Sequence, residues 1–216
     1  MNCYFIVEHK GGDDEKRKII KVLSGIFVAI VLILGGSYYM SYRAATERND
    51  RLIQHGFKLL EEQIATYIKE NYSGVSKIEF SPIFVDGGDG FSMFTANVVP
   101  VVYDNEGNRA VLGSSGTVEG PYSDFGHLSG VNFQYIGYDE YYIELLVEPE
   151  KYVDVSTDDH LPVEAKIIYR TGLDDNFVAL VEEGYLKNVK KDKLGSPDVQ
   201  IAYNLEIVEG EYRRWR

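Results

Sequence analysis

Asn49 to Gly74 reads NDRLIQHGFKLLEEQIATYIKENYSG. Ile53, Phe57, Leu60, Ile64, Tyr67 and Ile68 recur at spacings of three and four, which places them on one face of a helix, and no proline interrupts the chain from Ala44 to Tyr72. The stripe predicts an amphipathic helix packed on a sheet, in preference to a helix laid into a partner's groove. Asn49 or Asp50 is placed to cap its start, and Asn71 and Gly74 mark its end. The alternative start is upstream, with the stretch from Ser41 continuing an earlier helix as a stalk.

That earlier helix is written in Val22 to Met40, VLSGIFVAIVLILGGSYYM, which contains no charged side chain. At 1.5 Å per residue it reaches about 28 Å, the thickness of a hydrocarbon core. Val22, Phe27, Leu32 and Leu34 are its apolar contacts with lipid, and Tyr38 and Tyr39 form an aromatic belt at the outer boundary. Lys10, Lys16, Arg17, Lys18 and Lys21 precede the run, against Arg43, Arg48 and Arg51 after it, so the N-terminus is expected in the cytoplasm and the remainder across the membrane. A cleaved signal peptide competes, because Gly35-Gly36-Ser37 offers small residues to a peptidase. No cysteine follows the run, which argues against a lipid anchor.

Downstream, the periodicity changes to two. Ile78 and Phe80 alternate with polar neighbours, and the turn Asp86-Gly87-Gly88-Asp89-Gly90 leads into an apolar segment from Phe91 to Tyr103, a pair that reads as a hairpin. Asp104 to Asn108 is a second turn before a strand from Arg109 to about Glu119, followed by an irregular loop to Gly130. Further strands are expected at 131–137, 141–148, 163–170, 176–183 and 199–208. The fold class is therefore α+β: a single transmembrane helix, then an amphipathic helix packed on a curved, mainly antiparallel β-sheet. The organisation is a short cytoplasmic segment at 1–18, a transmembrane helix at 19–42, stalk and amphipathic helix at 43–74, and a sheet at 75–216 belonging to the same domain.

Composition bounds the partners. Lys+Arg number 22 and Asp+Glu 34; six of the former and four of the latter precede Ala44, so the remaining chain carries a net charge of −14. Nucleic acid is repelled by such a surface, whereas a basic protein is attracted. Cys3 is the one cysteine, so the outer part holds no disulfide and is stable through its core alone. A cysteine-free exported domain fits a Gram-positive envelope.

Between Phe133 and Glu144 the chain concentrates Phe133, Tyr135, Tyr138, Tyr141 and Tyr142 among Asp139, Glu140 and Glu144. Aromatic residues favour strands for packing reasons alone. Tyrosine beside carboxylates with little lysine is also the composition of a recognition surface for a basic protein. Both readings are compatible on opposite faces of one sheet. Tyr135, Tyr138, Asp139, Glu140, Tyr141, Tyr142 and Glu144 are the candidate partner-binding residues.

Catalytic motifs are absent: there is no Gly-x-Ser-x-Gly, His-Glu-x-x-His or P-loop, and Gly113-Ser114-Ser115-Gly116 lacks nucleophile-elbow spacing. His9, His55, His127 and His160 stand alone in sequence. No enzyme activity, cofactor or metal is expected. Asp86 with Asp89, and Asp158 with Asp159 and His160, lack EF-hand spacing and read as turns. Lys187, Lys190, Lys191 and Lys193 are the single basic run of the outer part, a solvated loop or helix end that also suits anionic head groups, and Arg213 to Arg216 read as a loose terminus.

The segment from Glu62 to Phe80, EQIATYIKENYSGVSKIEF in its core, resembles small membrane-anchored extracytoplasmic proteins of Gram-positive bacteria, TipC-type immunity proteins against LXG toxins among them. The resemblance covers the anchor, the helix and the first strand. It implies an outward-facing concave sheet that neutralises a secreted toxin, and it transfers no site residue. A membrane-anchored protein-binding domain is the expectation, with an accessory component of an envelope complex as the alternative and an exported hydrolase third.

Overall fold

A computed structural model of the protein describes residues 12–87, 95–115, 118–119, 130–137, 140–168, 171–210 and 212. The chain divides into two units, Met1–Asn49 and Asp50–Arg216.

Helix α1 (Gly12–Asn71) contributes to both. The expected cap at Asn49 or Asp50 is not used, and the continuation from Ser41 is what the chain adopts. Nothing between Met40 and Asp50 stops propagation: no Pro or Gly occurs there, and Arg43 pairs with Glu47 one turn on at 3.4 Å. In the first unit every described side chain from Lys21 to Asn49 is exposed, Val22, Phe27, Leu32, Leu34, Tyr38 and Tyr39 included. The most apolar 18-residue window has a mean hydropathy of 2.0, the length and composition of a single membrane span, which an N-terminal signal sequence shares. The hydroxyls of Ser24 and Ser37 donate back to the carbonyls of Lys21 and Leu34, so the helix supplies their partners itself.

The second unit is α+β. After α1 come β1 (Tyr72–Ser73), β2 (Val75–Phe80), β3 (Ile83–Asp86), β4 (Thr95–Asn97), β5 (Pro100–Asp104), β6 (Arg109–Val111), β7 (Ser114–Ser115), β8 (Val118–Glu119), β9 (Val131–Gly137), β10 (Glu140–Glu148) and β11 (Lys151–Asp154). A 3-10 turn (Val163–Ala165), α2 (Thr171–Glu182), β12 (Lys190–Lys191), β13 (Gln200–Ala202) and β14 (Ile207–Glu209) complete it. The strands form small sheets in the orders β13-β2-β5-β6, β14-β3-β4, β11-β10-β9, β1-β12 and β7-β8.

The strand expected at 176–183 is part of α2, and a 3-10 turn stands in the one expected at 163–170. Leu173, Phe177 and Leu180 recur at helical spacing and are buried, and this outweighs the β-branched Val178 and Val181. The strand expected at 199–208 is broken at Tyr203 into two strands in different sheets, and both pair in parallel, β13 with β2 and β14 with β3, so the sheets are mixed. The hairpin partner of β2 is β5, with β3 and β4 intervening.

The last turns of α1 are enclosed, not half-covered: no residue from Leu52 to Lys69 is exposed. Phe57 stacks on Phe133 with ring centroids 6.5 Å apart, and Gly56 is small because a Cβ there would lie 2.5 Å from the Phe133 ring. Gln63 donates to the carbonyls of Leu146 and Ala165. On another side, Gln54 donates to the Leu205 carbonyl at 3.0 Å and Glu61 accepts from the Asn204 amide at 3.1 Å. Stripe residues Ile53, Phe57, Leu60, Ile64, Tyr67 and Ile68 share one core with Leu59, Ala65, Ile78, Phe80, Val102, Ile143 and Leu145.

The end of α1 falls at Asn71, where the orphan carbonyls of a helix need donors. They come from a distant segment: the amides of Ser196 and Asp192 donate to the carbonyls of Lys69 and Asn71, both at 2.8 Å. The Ser196 hydroxyl links the Tyr72 carbonyl to the Val75 amide, fixing the exit into β2.

Candidate partner-binding site

The β9–β11 sheet carries the tyrosine-rich segment, and its register sorts that segment by face. Val131 pairs with Leu145 and Phe133 with Ile143, while Asn132 pairs with Glu144 and Gln134 with Tyr142. Directly opposite residues share a face and successive residues alternate. Val131, Ile143, Leu145 and Val147 are buried toward α1, with Phe133 beside them. The other face presents Asn132, Gln134, Tyr142, Glu144 and Leu146, and β11 extends it with Tyr152 opposite Leu146 and Asp154 opposite Glu144.

The expected residues therefore do not form one cluster. Tyr142 is 42% exposed on the outer face with Glu144, whereas Tyr141 is half-buried and shares the inner face with Ile143. Tyr135 and Glu140 hold strand positions opposite Tyr141 and Gly137. Tyr138 and Asp139 lie outside the described residues. Asn132, Gln134, Leu146, Tyr152 and Asp154 are additional members; Tyr152 is 40% exposed. For Tyr152 and Asp154 the signal is Glu148-Pro149-Glu150, a turn that announces the hairpin into β11 and in which Glu150 adopts φ 65°.

Glu144 is held in place. Its Oε2 accepts from Asn132 Nδ2 at 3.0 Å and from Gln134 Nε2 at 2.9 Å. Asp154 Oδ1 accepts from the amide and hydroxyl of Ser156, which in turn receives the Ile143 amide. Glu148 and Lys151 pair at 2.9 Å across the turn, an exposed ion pair worth little energetically.

A second cluster lies between α1, α2 and β12. Asp174 accepts from Tyr67 (2.9 Å), Tyr72 (2.5 Å) and Lys191 (2.6 Å). Burial, then the hydrogen bond to Asp174, pushes the Tyr72 hydroxyl up, so it stays a protonated donor. Beside it an apolar groove of about 320 Å³ is lined by Phe177, Val178, Val181 and Val189. Three donors from α1, β1 and β12 converge on this one carboxylate, so the cluster ties α2 to the end of α1.

Other candidates resolve into local structure. His55 bonds to the Asp158 carbonyl at 2.8 Å, and His160 lies 3.1 Å from Glu62. Asp86 Oδ1 accepts the amide of the adjacent Gly87. Among the described residues no three His, Cys, Asp or Glu side chains converge as a metal site. Of the basic run, Lys187 pairs with Glu106, Lys190 with Asp192 and Lys191 with Asp174.

No protein-family model, curated protein or solved structure matches this chain.

Proposed function

We propose that this protein is a membrane-anchored extracytoplasmic domain that binds a basic protein on the outer face of the β9–β11 sheet and performs no chemistry. The observation that carries this reading is the division of that sheet. One face is buried in the core, and the other holds Tyr142 and Tyr152 exposed among carboxylates. Exposed tyrosines with polar neighbours are the usual anchors of protein interfaces, and a net charge of −14 from Ala44 onward steers a basic partner toward the domain. The resemblance of the Glu62–Phe80 segment to TipC-type immunity proteins gives the specific form of the proposal: a toxin-neutralising partner in a Gram-positive envelope, with a curved face as the receptor.

The test places a photo-crosslinking residue at Tyr142 in the full chain in its native cells. Crosslinks to one exported basic protein, lost when Tyr152 is changed to Ala, support the reading; crosslinks to lipid alone, or none, overturn it.

Topology is part of the proposal. The lysine and arginine excess ahead of Val22 puts the N-terminus inside. Cys3 should then resist a membrane-impermeant thiol reagent in intact cells and react after lysis. Labelling without lysis reverses the orientation.

A further inference from the structure

Glu144 and Asp154 are register partners on adjacent antiparallel strands, on the same outer face. Directly opposite side chains have Cβ atoms about 5 Å apart, and two like charges at that position repel. Among the described residues no cation pairs with either carboxylate. Each has one oxygen pinned, Oε2 of Glu144 by two amides and Oδ1 of Asp154 by Ser156. No described residue bonds to the second oxygen of either. Along the strand, Glu144 is flanked by Tyr142 and Leu146, and Tyr152 lies diagonally across from it.

The geometry points to an arginine side chain, presented by a basic protein segment, as the occupant of this position; the inference rests on the binding face proposed above and names what it recognises. Two fixed carboxylates with open oxygens receive the forked N–H donors of a guanidinium. Its weakly hydrated planar faces pack against Tyr142 and Tyr152, which a compact, strongly hydrated ammonium does less well. The cation removes the repulsion between the strands, and the pinned oxygens mean that no side-chain rearrangement is needed on binding. The charge of the whole domain is of the complementary sign.

The test uses the full chain in neutral phosphatidylcholine nanodiscs, with a dye-labelled alternating arginine–valine hexapeptide, its lysine–valine counterpart, and calcium ions alone as probes. The arginine peptide is expected to bind at least about tenfold more tightly than the lysine peptide. Glu144→Gln and Asp154→Asn should each weaken it about fivefold or more with unchanged melting midpoints, whereas Glu209→Gln, an equal change of net charge on another sheet, should not. Equal affinity for the two peptides, an equal loss in Glu209→Gln, or displacement of the peptide by calcium overturns the inference. Undiminished crosslinking of the native partner in Glu144→Gln would remove the arginine while leaving the binding face standing.

Discussion

Glu61→Gln is expected to stabilise the chain by about 3–4 kcal/mol at pH 7.5 and to change nothing near pH 4.5. Glu61 is fully buried on α1. Its Oε2 accepts the Asn204 amide, and its Oε1 has no partner among the described residues. Burial pushes its carboxyl up to about 9, partly offset by that amide. The unfolded chain ionises near 4.5, so between the two values the folded state holds a proton that the unfolded state has released. Stability from this group is complete below about pH 4.5 and falls as pH rises toward about 9, by up to about 1.4 kcal/mol per pH unit. Glutamine has the same shape and never ionises, so its advantage grows over that range. Urea unfolding of the full chain in detergent at pH 5, 6.5 and 8 measures it, and parallel curves for the two proteins would rule out a buried neutral carboxyl.

Glu61 also shows where sequence reading loses information. Its own position gives no sign of burial: it follows Leu60 and precedes Glu62, in what reads as the polar side of an amphipathic helix. The stripe from Ile53 to Ile68 is legible because helical spacing alone specifies it. The enclosure of the opposite side is not, because the chain that covers it, Tyr203 to Glu206, arrives about 140 residues later, and no local periodicity encodes that arrival. Strands β9 and β10 are legible because they run seven and nine residues rich in aromatic and β-branched side chains, long enough for strand propensity to show. Short strands such as β13 and β14 span too few residues for a period of two to show, and their parallel pairing is a long-range choice.

For the binding face, composition located the segment and register decided its membership. Tyr141 and Tyr142 are neighbours in sequence and lie on opposite faces, so a cluster read along the chain mixes core packing with exposed surface. Asp154 joins Glu144 only through strand pairing across the Glu148–Lys151 turn. The like-charge pair is a property of two strands, and neither strand shows it alone.

Gly195→Ala is expected to cost about 3 kcal/mol or more, for a reason also built from distant segments. Gly195 adopts φ +61°, and a Cβ there would collide with the carbonyl oxygen of Lys69 in the last turn of α1. That turn cannot recede, because the same carbonyl accepts the Ser196 amide and Ser196 also fixes Tyr72 and Val75. The alanine methyl must therefore push the loop off the helix end and leave its carbonyls without donors. Gly184 separates the two contributions: it has φ +80° with open space around its Cβ position, so Gly184→Ala should cost only the conformational part, about 1 kcal/mol. Equal urea midpoints for the two variants would mean that the loop yields freely and does not lock the helix end. Gly195 is on none of the strands of the β9–β11 sheet, so the folded fraction of Gly195→Ala should bind the arginine peptide as wild type does. Loss of binding from a fully folded variant would instead couple the helix end to the receptor face.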